Sequence, residues 1–361
     1  MKKVKRIWSR ILFNSLIFMP RLVFFGTPTY SLIVLKRLYE TGFPLLAVVT
    51  KPAQPVGRNK ELTITPVAEW AKAHSIRAFT PEVTGGKPWQ YAHEAELTQD
   101  IVNLKPDILV VADYAQKIPV QLIAQIKAGG LNVHPSLLPK YRGPAPVPWA
   151  IVHGETETGV SIVTLAEEFD SGKIIAQEKE TILSTDTTHT LLTRLFKKGA
   201  ELLVTLLPEY TRQSNQQTEQ LDNETMQQSF SYTPRLRRED GFIPWEFIKA
   251  ALQGEEISQS TIQQFSNITI VKSFLDRKNT SFTSTPVAVL LDRAFRAFHP
   301  WPGIWTKVKL NQEEKRLKIL SLHLQAISYK LQALVLDEVQ LEGKQPIKGR
   351  DVTNFLKQLT A

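Results

Sequence analysis

The stretch Asp107-Ile108-Leu109-Val110-Val111-Ala112 decides the fold. A strand with one wet face alternates apolar and polar residues. A run that is apolar at every central position is buried on both faces, as in parallel sheets covered by helices. Working outward, strand-like and helix-like segments alternate. Upstream, Arg21 to Phe25 is a short apolar run ending in Gly26-Thr27-Pro28, and Tyr30 to Glu40 has helical spacing (Leu32, Leu35, Leu38) that stops at Gly42. Leu45 to Val49 reads as a strand, Thr65-Pro66 as an N-cap and first-turn proline for a helix through Ala73, and Ile76 to Phe79 as another strand. Downstream, Leu131 to His134, Gly159 to Thr164 and Lys173 to Glu178 are strand candidates, and Thr187 to Leu207 is a helix capped by Asp186. This alternation predicts an α/β fold, a doubly wound parallel sheet. In such sheets ligands bind beyond the carboxyl ends of the strands.

Asn132 and His134 stand at one of those ends. Residues two apart on a strand face the same way, so an amide and an imidazole project together. Asp170, in Glu-Glu-Phe-Asp-Ser-Gly, lies 36 residues beyond His134 and adds a carboxylate. These three groups suit an amine attacking a carbonyl carbon. The amide donates to the oxyanion without titrating, the imidazole exchanges protons near its ordinary pKa of about 6.5, and the carboxylate holds the imidazole or takes the amine proton. Taken singly, each has a plainer reading. His134 would be a satisfied strand-end histidine, Asn132 a cap, and Asp170 a turn residue before Ser171-Gly172.

Composition narrows the class. The 361 residues are 42% hydrophobic and 22% charged, which describes an ordinary globular chain of two domains. With no cysteine, disulfides and thiolate metal sites are excluded. The net charge of +9 falls to +3 once Met1 to Arg21, which holds six basic residues and no acid, is set aside. The basic balance is thus chiefly a property of the first 21 residues, and two readings of this start stay open: a true start at Met19, or a presequence. Their apolar stretch, Ile11 to Met19, is too short to span a bilayer.

Other chemistries lack their motifs. No Gly-x-Gly-x-x-Gly or Gly-x-Ser-x-Gly occurs, Gly154 to Ser161 has Val160 where a P-loop needs lysine, and His93-Glu94 lacks the second histidine of a zinc protease. After Pro208 the chain turns rich in Gln, Asn and Thr, which reads as a linker at 209–230. Beyond it, Phe242-Ile243, Ile268 to Val271, Lys315 to Leu322 and Leu331 to Val339 read as short β segments of a second domain at 231–361.

Asn132-x-His134-x-Ser136-Leu137-Leu138-Pro139, followed at a distance by Asp170-Ser171-Gly172, resembles the folate-dependent formyltransferases. The resemblance extends, in order, through Phe24 to Pro28, Thr50 to Arg58, Gly154 to Ser161, Arg296 to Pro302 and Leu341 to Lys344. It implies a Rossmann-like catalytic domain at 21–208 and a smaller C-terminal β-barrel similar to an oligonucleotide-binding fold. It implies 10-formyltetrahydrofolate as co-substrate, no metal, and catalysis by Asn132, His134 and Asp170. Ser136, Leu137, Leu138 and Pro139 would line the folate site, with Tyr114 and Gln116 as a second, looser match. Lys51, Arg58 and Lys60 sit in a loop that, in members acting on initiator methionyl-tRNA, contacts the acceptor stem through phosphates. That acceptor is therefore expected, in a cytoplasmic monomer without membrane contact; an organellar location stays open because of the basic extension. A sugar nucleotide or glycinamide ribonucleotide as acceptor, hydrolysis of the donor, and a non-catalytic RNA-binding relative are the alternatives. Two stretches depart from the family: Trp245 to Arg293 is long, and the chain after Leu322 is short.

Overall fold

The computed structural model describes residues 18–56, 60–216, 231–275, 285–327 and 332–360. They fall into two compact units. One holds the residues up to Pro135, Val160–Glu178 and the described part of 193–228; the other holds Ser136–Gly159, Lys179–Leu192 and the described residues from 231 on.

The elements of the first part of the chain run β1 (Leu22–Phe25), α1 (Thr29–Glu40), β2 (Leu45–Val49), β3 (Gln54–Val56), β4 (Glu61–Thr63), α2 (Pro66–Ala73), β5 (Arg77–Phe79), β6 (Val83–Thr84), β7 (Lys87–Tyr91), α3 (Glu94–Asn103), β8 (Ile108–Ala112), α4 (Val120–Gln125) and β9 (Gly130–His134). After α5 (Pro146–Val152) come β10 (Glu157–Thr164), β11 (Ile174–Thr181) and α6 (Thr188–Gln216). Seven of the strands form one sheet in the order β11-β10-β9-β8-β1-β2-β5. β9, β8, β1, β2 and β5 pair in parallel and β10 pairs antiparallel to β9. Every residue of β1 and of β8 is buried, as a run apolar on both faces requires.

The connections explain where a ligand belongs. From β1 the chain passes through α1 to β2 and then β5 on one side; after α3 it returns to β8 on the other side of β1 and moves on to β9. The strand order therefore reverses between β1 and β8, and such a switch point leaves a crevice at the strands' carboxyl ends. Ser31 stitches its walls together: its hydroxyl accepts from the Thr27 amide at 3.0 Å and donates to the Ala112 carbonyl at 2.7 Å. Gly26 makes this possible, since a Cβ there would come within 2.6 Å of Ser31 Cβ and of the Phe24 ring.

At the opposite edge, Arg21 grips Asp107. Its Nε donates to Oδ2 at 3.1 Å, its guanidinium to Oδ1 at 3.0 Å, and its backbone amide to Oδ2 at 2.7 Å. The cap of α2 is as expected, with the Thr65 hydroxyl accepting from the Ala68 amide and proline in the first turn. Two expectations need correction. α6 continues through Pro208 to Gln216, nine residues past the expected end at Leu207, because the polar residues that look linker-like lie on a helix already nucleated upstream. Its N-terminal hydroxyl cap is Thr187, which accepts from the Thr190 amide at 3.2 Å; Asp186 instead accepts from the Thr190 hydroxyl and the Leu183 amide.

The last part of the chain contains a 3-10 turn (Arg238–Gly241), α7 (Trp245–Gln253), α8 (Gln259–Gln264), α9 (Thr269–Leu275), α10 (Val287–Phe298), β12 (Ile304–Leu310), β13 (Glu313–Ala326), β14 (Gln332–Leu341), β15 (Ile347–Lys348) and α11 (Arg350–Thr360). β12 to β15 form a four-stranded antiparallel sheet in sequence order. The expected strand at Ile268 to Val271 is instead the start of α9: a four-residue β-branched run is too short for its period to separate strand from helix. Within the long stretch from Trp245 to Arg293, residues 276–284 lie outside the described residues.

Candidate active site

β9 ends at the carboxyl edge of the sheet and carries Asn132 and His134. Behind it, the turn from β10 into β11 brings Asp170 to the same place. That turn is closed at its base by Thr164 and Lys173, whose backbones bond at 2.9 Å. Gly172 follows because a Cβ there would lie 2.0 Å from the Thr164 carbonyl oxygen. Asp170 itself adopts a left-handed backbone, φ 54°, which aspartate tolerates better than most residues.

The three side chains converge. Asn132 Nδ2 donates to Asp170 Oδ1 at 2.9 Å, and His134 Nδ1 stands 3.4 Å from the same oxygen. The His134 and Asp170 side chains are 5% and 10% exposed, so the contact is sheltered from water. One N–H of the Asn132 amide is thereby used and a second is left for another acceptor. A carboxylate beside Nδ1 favours the tautomer with its proton there, which leaves the Nε2 lone pair to accept one.

The loops expected to hold folate are both ordered. After β8, the Tyr114 ring packs edge-to-face with Phe25 at 5.6 Å between centroids, and the Tyr91 hydroxyl donates to the Tyr114 hydroxyl at 2.9 Å. Burial raises both phenols well above their ordinary pKa, so they remain protonated. Gln116 is buried, and its Oε1 has no hydrogen-bond partner among the described residues. Within the second unit, Ser136 and Leu138 are buried while Leu137 and Pro139 are half-buried, and the Ser136 hydroxyl donates to the Lys140 carbonyl at 2.8 Å.

Asp113 emerges as a further polar group at this edge. It directly follows β8, adopts φ 51°, and is solvent-accessible. Protein nevertheless encloses it on enough sides that burial raises its carboxyl to about 6, against the opposing pull of the Lys51 charge. Its sequence signal was an acid placed immediately after five apolar residues.

Of the expected tRNA-contacting cations, Lys51 is half-buried and Lys60 exposed; Arg58 lies outside the described residues. Lys51 precedes the β3–β4 hairpin and Lys60 stands at the end of the connection between its two strands, next to β4, whose Leu62 is 73% exposed. Away from these groups, the Trp70 and His74 rings stack 4.0 Å apart, and Tyr39 of α1 meets both in T-shaped contacts. Among the described residues no group of three or more His, Asp or Glu side chains is placed to hold a metal, and no helix is long and apolar enough to cross a membrane.

A family model described as formyl transferase matches residues 20–207. The chain is similar to the methionyl-tRNA formyltransferase of Enterococcus faecalis, 36% identical over 237 residues that cover 66% of this chain and 72% of that protein. It is likewise similar to the methionyl-tRNA formyltransferase of Lactiplantibacillus plantarum, 34% identical over 271 residues, or 75% of this chain and 80% of that one. Among solved structures it is similar to HypX from Aquifex aeolicus in complex with tetrahydrofolic acid, at 15% identity and a TM-score of 0.52, covering 95% of this chain and 48% of that chain. This last likeness shows the fold alone.

Proposed function

The chain belongs to the formyl transferase family, and from that premise we propose that it transfers a formyl group from 10-formyltetrahydrofolate to the methionine amino group of initiator methionyl-tRNA. The observation that carries the reading is the single Asp170 oxygen, Oδ1, approached by both the Asn132 amide and the His134 imidazole. The neutral amine attacks the formyl carbon, and the carbonyl oxygen becomes an oxyanion. Asn132 supplies its second N–H to that oxyanion. His134 takes the proton of the newly bonded nitrogen at Nε2 and delivers it to the departing folate nitrogen, while Asp170 steadies the imidazolium in between. No bond to the enzyme forms.

Ser136 to Pro139, Tyr114 and Gln116 are assigned to the folate, and the unsatisfied Gln116 oxygen fits a ligand with N–H donors. Lys51, Arg58 and Lys60 are assigned to acceptor-stem phosphates. Chemistry belongs to residues 21–208 and tRNA binding to 231–361, in a monomer working in the cytoplasm. The test is purified protein with formyl-folate and charged initiator tRNA. Formyl-methionyl-tRNA is the expected product; formate release without acceptor, or transfer to glycinamide ribonucleotide instead, would replace this reading.

A further inference from the structure

The overall reaction leaves one proton unplaced. An α-amino group has a pKa of about 7.7–8.0, so at neutral pH the acceptor arrives largely as an ammonium ion and must shed a proton before it can attack. His134 is occupied with a different proton, the one that passes to the folate nitrogen. A second base is needed, in reach of the acceptor and of solvent.

We propose that Asp113 is that base: it receives the acceptor's ammonium group in the crevice between β1 and β8, takes its first proton, and discharges it to water. This rests on the formyl-transfer reading above. Four observations support it. In the register of the parallel pair, Ala112 stands beside Val133, so Asp113 is the residue at which the chain leaves β8 and His134 the last residue of β9, one strand away. Adjacent strands lie about 4.8 Å apart, which places both residues on the rim of one site. The crevice is the sheet's switch point, where ligands bind. The neighbouring Thr27 hydroxyl, on the other wall, is buried with no hydrogen-bond partner among the described residues. Finally, Asp113 keeps a left-handed backbone and a carboxyl that its surroundings make costly to ionise. The groups acting on it are Lys51, from the segment after β2, and Tyr30, from α1, whose own phenol its charge helps to raise.

Protons and bonds balance. Asp113 carboxylate and acceptor ammonium give carboxylic acid and amine. The amine then forms the new C–N bond while the folate C–N bond breaks with its electron pair on nitrogen. That nitrogen gains the proton carried by His134, and Asp113, with a pKa near 6 and open to solvent, ionises again. An aspartate here also repels a phosphorylated small acceptor, which favours an aminoacyl acceptor of net positive charge at its reacting end.

The experiment compares wild type with Asp113→Asn and Asp113→Ala in formyl transfer to methionyl-tRNA from pH 6 to pH 9, folate affinity being measured alongside. At pH 6.5 the variants should lose about 10- to 100-fold in kcat/KM, the scale of a charge-assisted hydrogen bond. The deficit should narrow as pH passes the acceptor's own pKa, because the amine then arrives neutral, while folate affinity stays unchanged. A deficit equal at all pH values, or none, overturns the proposal. A readout independent of turnover is calorimetric binding of methioninamide against N-acetylmethioninamide, which lacks the ammonium. Wild type should prefer the first about tenfold and Asp113→Asn should not discriminate; a wild type without preference also overturns it. Inactivity of wild type toward methionyl-tRNA with that preference intact would instead sink the choice of acceptor or reaction.

Discussion

Strand β8 carries an aspartate at each end, and the two are held under opposite conditions. Asp107, at the amino end, would be raised by its burial, but the side-chain and backbone hydrogen bonds from Arg21 outweigh this and hold its carboxyl below the ordinary value. Asp113, six residues on at the carboxyl end, is raised by its burial to about 6, against the opposing charge of Lys51. The paired carboxylate fastens the amino end of β8 to the residue that leads into β1. A carboxylate without such an ion pair among the described residues, at the switch point of the sheet, costs folding free energy and is available for chemistry. Asp170 is a third case, left-handed like Asp113 but committed to Asn132 and His134.

Mutations can break this contrast. The largest effect belongs to the committed cluster: Asn132→Ala should lower kcat about 10²–10³-fold with folding intact, measured by single-turnover formyl transfer. Retention of more than a tenth of the rate would remove Asn132 from the oxyanion. Asp113→Asn comes next, with the pH-dependent deficit given above. Its stability should move the other way. The folded carboxyl lies above its unfolded value of about 3.9, so ionising it costs stability above about pH 6 and nothing well below pH 4. Thermal unfolding of Asp113→Asn should therefore show a higher Tm than wild type at pH 7.5, the gain vanishing toward pH 4.

Lys51→Met sharpens the contrast by removing a cation whose charge holds Asp113 down. The acid limb of the wild-type pH–rate profile should then move to higher pH; a limb that stays put would uncouple the two residues. The smallest effect is at the far end of the strand. The Arg21 side chain is 45% exposed, so Arg21→Ala should cost only about 1 kcal/mol in urea unfolding at pH 7. Because the folded Asp107 carboxyl is depressed, that contribution is present above its unfolded value near pH 4 and is lost as pH falls through the folded pKa. A loss of catalysis in Arg21→Ala without a loss of stability would contradict the division between the two edges.

Much of this was legible before folding was considered. The all-apolar run of β8 announces burial on both faces, and the two-residue spacing of Asn132 and His134 on β9 places both at one edge. Segments shorter than a helical period or dependent on neighbours were not. Ile268 to Val271 looks like a strand by composition and folds as a helix. The polar residues after Leu207 look like a linker, yet continue α6 to Gln216. Asp186 looks like the cap, but its carboxylate is held by Leu183 and Thr190 and the neighbouring threonine serves.

The amino-acid order by itself determined the parallel sheet, its carboxyl-end site and the identity of the amide and imidazole there, because apolar periodicity and side-chain alternation are local properties of a chain. Only the tertiary structure decided that Asp170 closes on that pair from 36 residues beyond His134. It alone decided that Asp107 is paired with Arg21 while Asp113, among the described residues, is held by no such ion pair. Those outcomes depend on which strands become neighbours and on how much water protein excludes around each carboxylate, and neither quantity exists until the sheet is assembled.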